Sequence, residues 1–495
     1  MEIFYTAMEN TLARMILFLN TKQKMDVSIR WACPDCIQSS LWMDEDLLVL
    51  ENFMIFTASP AYSLASGRHP DCDGMISCDA YIYHILKEEN GVNTCGLKIT
   101  RMDVGFENRG GKAVIQSIHW YTVQDMEPWI YACDPGFSGM EMDVPFETIS
   151  EPVPSEIFCA VKKQINRIWD RLEINSDEKI KNIFQVAGNR IGAAGDTPWA
   201  AGGSELSLAG PAIGLTASPA VWMTGEEQAQ AWYPAELFCL AGAPEGHQVV
   251  CRCFYYVYCT FVRDRGGWRR TTQWATLFLR LPDTPYHRGK HYDKISADML
   301  PWTLENESMP ENYPEDSYAI ENIINGWVYG CRRGRLCEFY ETYMKNCGFT
   351  PEMWIKSQGE KTPKLGGEKE ILHKLSEMDA NYHPGMYTFH TAATPLIEIS
   401  ADGQSATGTW FDHSATNLSG GDSGAERIPY MVFVARYRHH FQKIDGTWYL
   451  TDFFWEPLIS LDDWIFDRKH SAGQAVRENA GLYPEAFSLD IYSCK

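Results

Sequence analysis

The feature that most constrains this chain is a stretch written three times. TASPAYSLASG starts at Thr57, TASPAVWMTGEEQAQAWY at Thr216 and HTAATPLIEISADGQSATGTWF at His390. Their prolines, Pro60, Pro219 and Pro395, stand about one small domain apart each time, and a recurrence of this kind has to be weighed before any single motif. The likeness continues downstream. FYYVYCTFVRDRGGWRRTTQWATLFLRLP (Phe254 to Pro282) and VFVARYRHHFQKIDGTWYLTDFFWEPL (Val432 to Leu458) are long β-rich runs broken at RGGW and DGTW, and LKITRMDVGFENRGGKAVIQSIHWYTV breaks at Arg109 to Gly111. Each reads as two strands joined by a tight turn.

Helical periodicity opens every copy. It lies in MEIFYTAMENTLARMILFLNTKQK, in KKQINRIWDRLEINSDEKIKNIFQVAGNRI and in Ala319 to Met344, the last behind a start signal at Pro314 and Asp316. Helices followed by antiparallel strands imply an α+β layer in which a curved sheet packs on helices. The expected domains are 1–150, 155–283 and 316–470, with a Pro- and acid-rich linker at 284–315 and a tail at 471–495. A length of 495 residues suits three such domains, and 45% hydrophobic residues suffice for a core in each.

Charge and composition exclude several classes. A net charge of -22 argues against a nucleic-acid partner, which needs a basic face. No apolar run is long enough for a membrane span, and the first residues lack the basic start of a signal peptide, so a cytoplasmic protein is expected. Fifteen cysteines without such a signal fit free thiols. Cys33 and Cys36 in CPDC, with Cys72 and Cys78, have poor spacing for structural zinc, and no metal site is expected. GDSG at Gly421 to Gly424 lies in a polar loop without the partner segments of a serine protease. AAGGSELSLAGPAIG lacks the Lys-Ser/Thr ending of a phosphate loop and reads as a flexible loop. Neither a dinucleotide fingerprint nor HExxH is found.

HTAATPLIEISADGQSATGTWF and FQKIDGTWYL, with a helix ending in GCRRGRLCEFYE, resemble the SnoaL-like branch of the nuclear transport factor 2-like superfamily, close to scytalone dehydratase and bacterial bile acid dehydratases. The resemblance covers most of residues 316–460 and reaches the earlier copies through their similarity to the third. It implies three tandem cone-shaped domains, each a curved antiparallel sheet wrapped around helices and enclosing an apolar pocket. It also implies a histidine five residues before the strand proline, here His390, working with an aspartate and a tyrosine near the end of the first helix. Dehydration beside a carbonyl needs a base for the α-proton and an acid for the leaving hydroxyl.

The chain departs from that pattern. The helix aspartate position falls on Arg333, or on Arg332 after a one-residue slip, and the tyrosine position falls on Val328 between Trp327 and Tyr329. Arginine does not act as a base near neutral pH. Asp412 follows Trp410 by two residues and shares its strand face, with His413 and Ser414 next. Glu341 and Tyr340 lie further along the helix, and Tyr437 and His439 share a face of RYRHH. The expected site therefore has His390 as base and Asp412 or Tyr329 as its partner. Arg333 would anchor a carboxylate or enolate oxygen, and Trp327, Trp410, Tyr437 and His439 would line the substrate.

Plainer readings stand beside these. A lone strand histidine is often a hydrogen-bonded core residue, Arg436, Arg438 and His440 alternate as a solvated face would, and Trp327, Trp410, Trp448 and Trp455 serve a core first. At the place of His390 the earlier copies have Ile55 and Gly214, which transfer no proton. The reading is a cofactor-free lyase, a dehydratase, or an isomerase acting on a hydrophobic oxygenated ring compound such as a steroid, bile acid derivative or polyketide. The alternative is a non-catalytic small-molecule-binding or scaffold protein. Assembly would be an intramolecular pseudotrimer or a homodimer.

Overall fold

The computed structural model describes residues 2–22, 41–43, 53–64, 72–87, 93–125, 131–132, 134–135, 151–170, 208–242, 248–286, 314–355, 364–380, 388–417 and 430–461. Cys33, Cys36, the GDSG stretch, most of the linker and the tail lie outside these residues. The chain divides into two compact bodies, 1–286 and 287–495.

The N-terminal body begins with helix α1 (Glu2–Lys22), then β1 (Leu41–Met43), β2 (Phe53–Leu64), β3 (Gly74–Lys87), β4 (Asn93–Arg109), β5 (Lys112–Asp125) and β6 (Tyr131–Ala132). These strands form a sheet in the order β1-β5-β4-β3-β2, with β6 on β4. Strand β7 (Asp134–Pro135) joins a second sheet, which follows helix α2 (Ser155–Asp170): β8 (Leu208–Thr216), β9 (Ala220–Gly225), β10 (Gln228–Gly242), β11 (Gln248–Asp264) and β12 (Gly267–Tyr286). Its order is β7-β12-β11-β10-β8, with β9 on β10.

The C-terminal body has helices α3 (Pro314–Arg333), α4 (Leu336–Tyr343) and α5 (Glu368–Ala380) and strands β13 (Glu352–Ile355), β14 (Leu365–Gly366), β15 (Thr388–Phe389), β16 (Ala393–Ile399), β17 (Ser405–Asn417), β18 (Tyr430–Ile444) and β19 (Thr447–Leu461). Its sheet runs β14-β13-β19-β18-β17-β15, with β16 on β17. The helix expected over Ala319 to Met344 is broken at Gly334, whose φ of 61° ends α3 in a conformation that glycine adopts without steric cost. The Gly-rich stretch read as a loop is corrected too: from Leu208 onward it is β8, because β10 supplies the ladder partner that local propensity ignores.

The hairpins β4–β5, β11–β12 and β18–β19 are built alike. Gly110 and Gly111 have φ of 64° and 91°, and Asp445 and Gly446 have 49° and 81°, the positive pair that a two-residue hairpin turn demands. Register shifts fall at Thr100 and Phe106 in the first, at Tyr255 and Phe261 in the second and at Ala435 and Phe441 in the third, with identical spacing, and the second has a further shift at Arg252. The Ser/Thr-Pro stretch carries its own irregularity. Ala58 pairs with Asp79 and Ala61 with Ser77; Ala393 pairs with Phe411 and Leu396 with Thr409, so one extra residue is inserted in each case. Ser59 (φ 51°) and Thr394 (φ 55°) absorb the bulge just ahead of prolines that have no N–H to give a ladder.

Helical stripes fill the concave faces. Ile157, Phe158, Val161, Ile165 and Trp169 of α2 pack on Tyr233, Leu237, Tyr255 and Val257; Ile320, Ile324, Trp327 and Val328 of α3 pack with Trp410, Tyr437 and Phe453. Within the N-terminal body the two sheets also touch through their other faces. The rings of Tyr83 and Phe254 lie 4.2 Å apart, and the Tyr256 hydroxyl donates to the Phe53 carbonyl at 3.0 Å. Helix α1 reaches across as well: Asn10 bonds both backbone groups of Val221, and Glu9 accepts from Lys162 and Ser218.

Candidate active site

His390 lies in the two-strand edge where β15 gives way to β16. Its backbone is fixed from two sides. Thr391 substitutes its side chain for a regular ladder, the hydroxyl donating to the His413 carbonyl at 3.2 Å and accepting the His413 amide at 2.8 Å. From the helix side, the Arg332 guanidinium donates to the His390 carbonyl at 2.6 Å while stacking 5.4 Å over the Tyr329 ring.

The imidazole meets Asp412 of β17, His390 Nδ1 to Asp412 Oδ2 at 2.8 Å. Asp412 has no solvent exposure, and donors converge on it. Oδ2 also receives the Tyr437 hydroxyl at 3.1 Å and the Trp455 indole at 3.0 Å, and Oδ1 receives the Thr391 amide at 2.9 Å. An acceptor surrounded in this way fixes the tautomer: Nδ1 carries the proton and Nε2 keeps its lone pair. The imidazole side chain is 15% exposed, and its Nε2 has no hydrogen-bond partner among the described residues. Burial, then the charge of Asp412, holds the Tyr437 hydroxyl well above its usual range, so it serves as a donor; the Trp327 indole donates to it in turn. Burial likewise raises the Cys331 thiol, which makes it a poor nucleophile.

The expected residues sort accordingly. His390 and Asp412 are in contact, and Tyr437 and Trp327 extend the network behind them. Tyr329 lies under the Arg332 guanidinium. Arg333 ends α3 with its side chain outside the described residues; Arg332 is the arginine that reaches the histidine. Trp410 and His439 line the same inner face further along the sheet, ring centroids 5.8 Å apart. Sequence reasoning missed Trp455 and the Thr391 amide as partners of Asp412. For Trp455 the signal was strand parity with Phe453, which points it inward. The solvated face expected of Arg436, Arg438 and His440 is a correction: Arg436 and Arg438 are buried, Arg436 lying 5.0 Å over the Phe411 ring, and only His440, paired with Asp452 at 2.9 Å, is half-buried.

The same places in the other two sheets are apolar. Ala80 faces Thr100 and Ala235 faces Tyr255 across their ladders, as Asp412 faces Ala435, each partner standing at the corresponding bulge. Met102 and Val257 hold the place of Tyr437 two residues on. A helix side chain still fixes the edge strand: Asn20 bonds both backbone groups of Ile55, where Arg332 holds His390. Among the described residues no group of three or more His, Cys, Asp or Glu is placed to hold a metal. No described helix is long and apolar enough to cross a membrane.

Residues 313–453 match the family model of the SnoaL-like domain. Among solved structures, a Streptomyces avermitilis protein assigned as a dehydratase of the NTF2-like family is similar at 14% identity, covering 29% of this chain and 96% of its own, with a TM-score of 0.25. One from Novosphingobium aromaticivorans assigned as a scytalone dehydratase gives 12% identity, 31% and 87% coverage and a TM-score of 0.23. The hexachlorocyclohexane dehydrochlorinase LinA-type3 of Novosphingobium barchaimii gives 14% identity, 29% and 87% coverage and a TM-score of 0.23. No curated protein matches the chain. The C-terminal sheet and its helices, with the His390–Asp412 pair at their edge, are thus the part of this chain that matches the SnoaL-like domain model, over residues 313–453.

Proposed function

We propose that the C-terminal body is a lyase or isomerase that removes a proton beside a carbonyl of a hydrophobic, oxygenated ring compound. The observation that carries this is the 2.8 Å contact between His390 Nδ1 and Asp412 Oδ2, which leaves Nε2 as a base at the only partly exposed polar atom of the pair. In the dehydratase form, Nε2 takes the α-proton, the C–H electron pair becomes the new double bond, and the β-hydroxyl leaves as water with the proton that His390 returns. In the isomerase form the proton returns to a different carbon. Asp412 orients the ring and steadies its cationic form, and Tyr437, Trp455 and the Thr391 amide hold Asp412 in place. This acid–base chemistry needs no cofactor.

We also read the three sheets as three copies of one fold, over 1–150, 155–283 and 316–470. The matching bulge spacing supports that reading. The first two copies, with Ile55, Gly214, Ala80 and Ala235 at the reacting positions, are supporting domains without turnover of their own. Mass spectrometry of mixtures containing hydroxylated keto-steroids, bile acid derivatives or aromatic polyols tests the proposal. Loss of water or a double-bond shift with the native chain, absent with His390→Ala, is expected; equal conversion by both proteins refutes it.

A further inference from the structure

His439 is a second histidine on the inner face, and its surroundings do not account for it. It is 2% exposed and packed among Phe453 (4.6 Å between centroids), Tyr437 (5.5 Å), Trp410 (5.8 Å) and Phe441 (6.2 Å). The ring borders the backbone of Asp452 and Arg438, and Nδ1 accepts the Phe454 amide at 3.3 Å; with Nδ1 as acceptor the ring proton is on Nε2. That Nε2–H is buried and has no hydrogen-bond partner among the described residues. A buried donor left unmade costs about 1–3 kcal/mol, and an apolar residue would avoid the cost. At the corresponding positions, four residues after Thr100 and Tyr255, the other sheets have Val104 and Cys259, both compatible with the same fold. The polar atom is found in the sheet that also has His390, Asp412 and Tyr437.

We infer that His439 fixes the far end of the substrate, its Nε2–H donating to a neutral oxygen, a ring ketone or ether, remote from the carbon at which His390 acts. This rests on the reading of His390 as the base and narrows the substrate class. His439 stands four residues along β18 from Ala435, the partner of Asp412, which is about 13 Å of strand. A ligand engaging both histidines is therefore elongated, with several fused rings. Aromatic walls and a neutral donor suit an uncharged oxygen and disfavour a carboxylate, whose desolvation they would not offset. Trp410 packs beside the imidazole and lies directly over Gly408, where a Cβ would clash with its ring, so the glycine is what admits the indole here.

The test is calorimetric binding of neutral polycyclic ketones to the full chain, each ketone paired with an analogue that has a methylene in place of the remote carbonyl. The native chain is expected to prefer a ketone by about tenfold. His439→Phe and His439→Leu are expected to abolish the preference while the melting temperature holds or rises by about 2–4 °C. His390→Ala is expected to keep the preference and lose turnover. A preference unchanged in both His439 variants overturns the inference. So does a native chain that binds no member of any pair, or a loss of folding in both His439 variants, which would make the imidazole structural. Full turnover by His390→Ala, with the ketone preference intact, would instead remove the base and leave the His439 assignment standing.

Discussion

The third sheet and the two sheets of the N-terminal body share hairpins with the same bulge spacing, yet differ at the inward positions to which the proposal assigns chemistry. Where the third has His390, Asp412, Tyr437 and His439, the first has Ile55, Ala80, Met102 and Val104, and the second has Gly214, Ala235, Val257 and Cys259. Two sheets fold without the polar set, so folding does not require it. A buried carboxylate with four donors is costly to assemble, and at the positions that match Asp412 the other two sheets have Ala80 and Ala235.

The comparison can be broken most directly at the base. His390→Ala makes the third sheet resemble the first; kcat is expected to fall by about 10²–10⁴-fold with the melting temperature nearly unchanged. Asp412→Asn keeps the shape but disturbs the tautomer, and a loss of about 10²-fold in kcat with little change in KM is expected. Steady-state kinetics on a converted substrate checks both. The reverse change, Ala235→Asp, buries a carboxylate where no set of donors awaits it and is expected to destabilise the N-terminal body by about 3–5 kcal/mol in denaturant unfolding. Tolerance of that charge would mean the second sheet has an open polar cavity after all.

Protonation separates the bodies next. Burial, then the neighbouring His440, lowers the His439 pKa from 6.5 to about 3. A depressed folded pKa contributes stability above pH 6.5 that is lost as pH falls toward about 3, because the unfolded chain binds the proton first. Hydrogen exchange is expected to show the C-terminal sheet loosening over that window, and His439→Phe to flatten its response; Val104 and Cys259 do not protonate there. The smallest effect belongs to the edge-strand contacts. Asn20→Ala leaves two buried backbone groups of Ile55 unmade, and a loss of about 1–3 kcal/mol is expected.

Local pattern carried much of this fold. The DGTW and RGG turns need positive φ, and alternation placed Asp412 with Trp410 on the inner face. What stayed hidden depended on phase or cover. One residue turns a helix side chain by about 100°, and it is Arg332, one step before the expected Arg333, that reaches the His390 carbonyl while lying over the Tyr329 ring. Alternation assigned Arg436 and Arg438 to the outer face correctly but carried no information on whether that face is covered. Trp455 becomes a donor to Asp412 only through the pairing of β19 with β18, a long-range register that a composition reading does not contain.

Helix α1 sets a schedule for synthesis. Its buried Glu9 and Asn10 find partners at Ser218 and Val221, separated by 209 and 211 residues. At about 5–20 residues per second, a ribosome needs about 10–40 s to deliver those partners. For that interval Glu9 and Asn10 wait for Ser218 and Val221, while Asn20 of the same helix already has Ile55. A nascent chain interrupted before β9 would hold the helix on its own sheet through Asn20 and Thr11 yet leave Asn10 without the Val221 backbone that pairs with it.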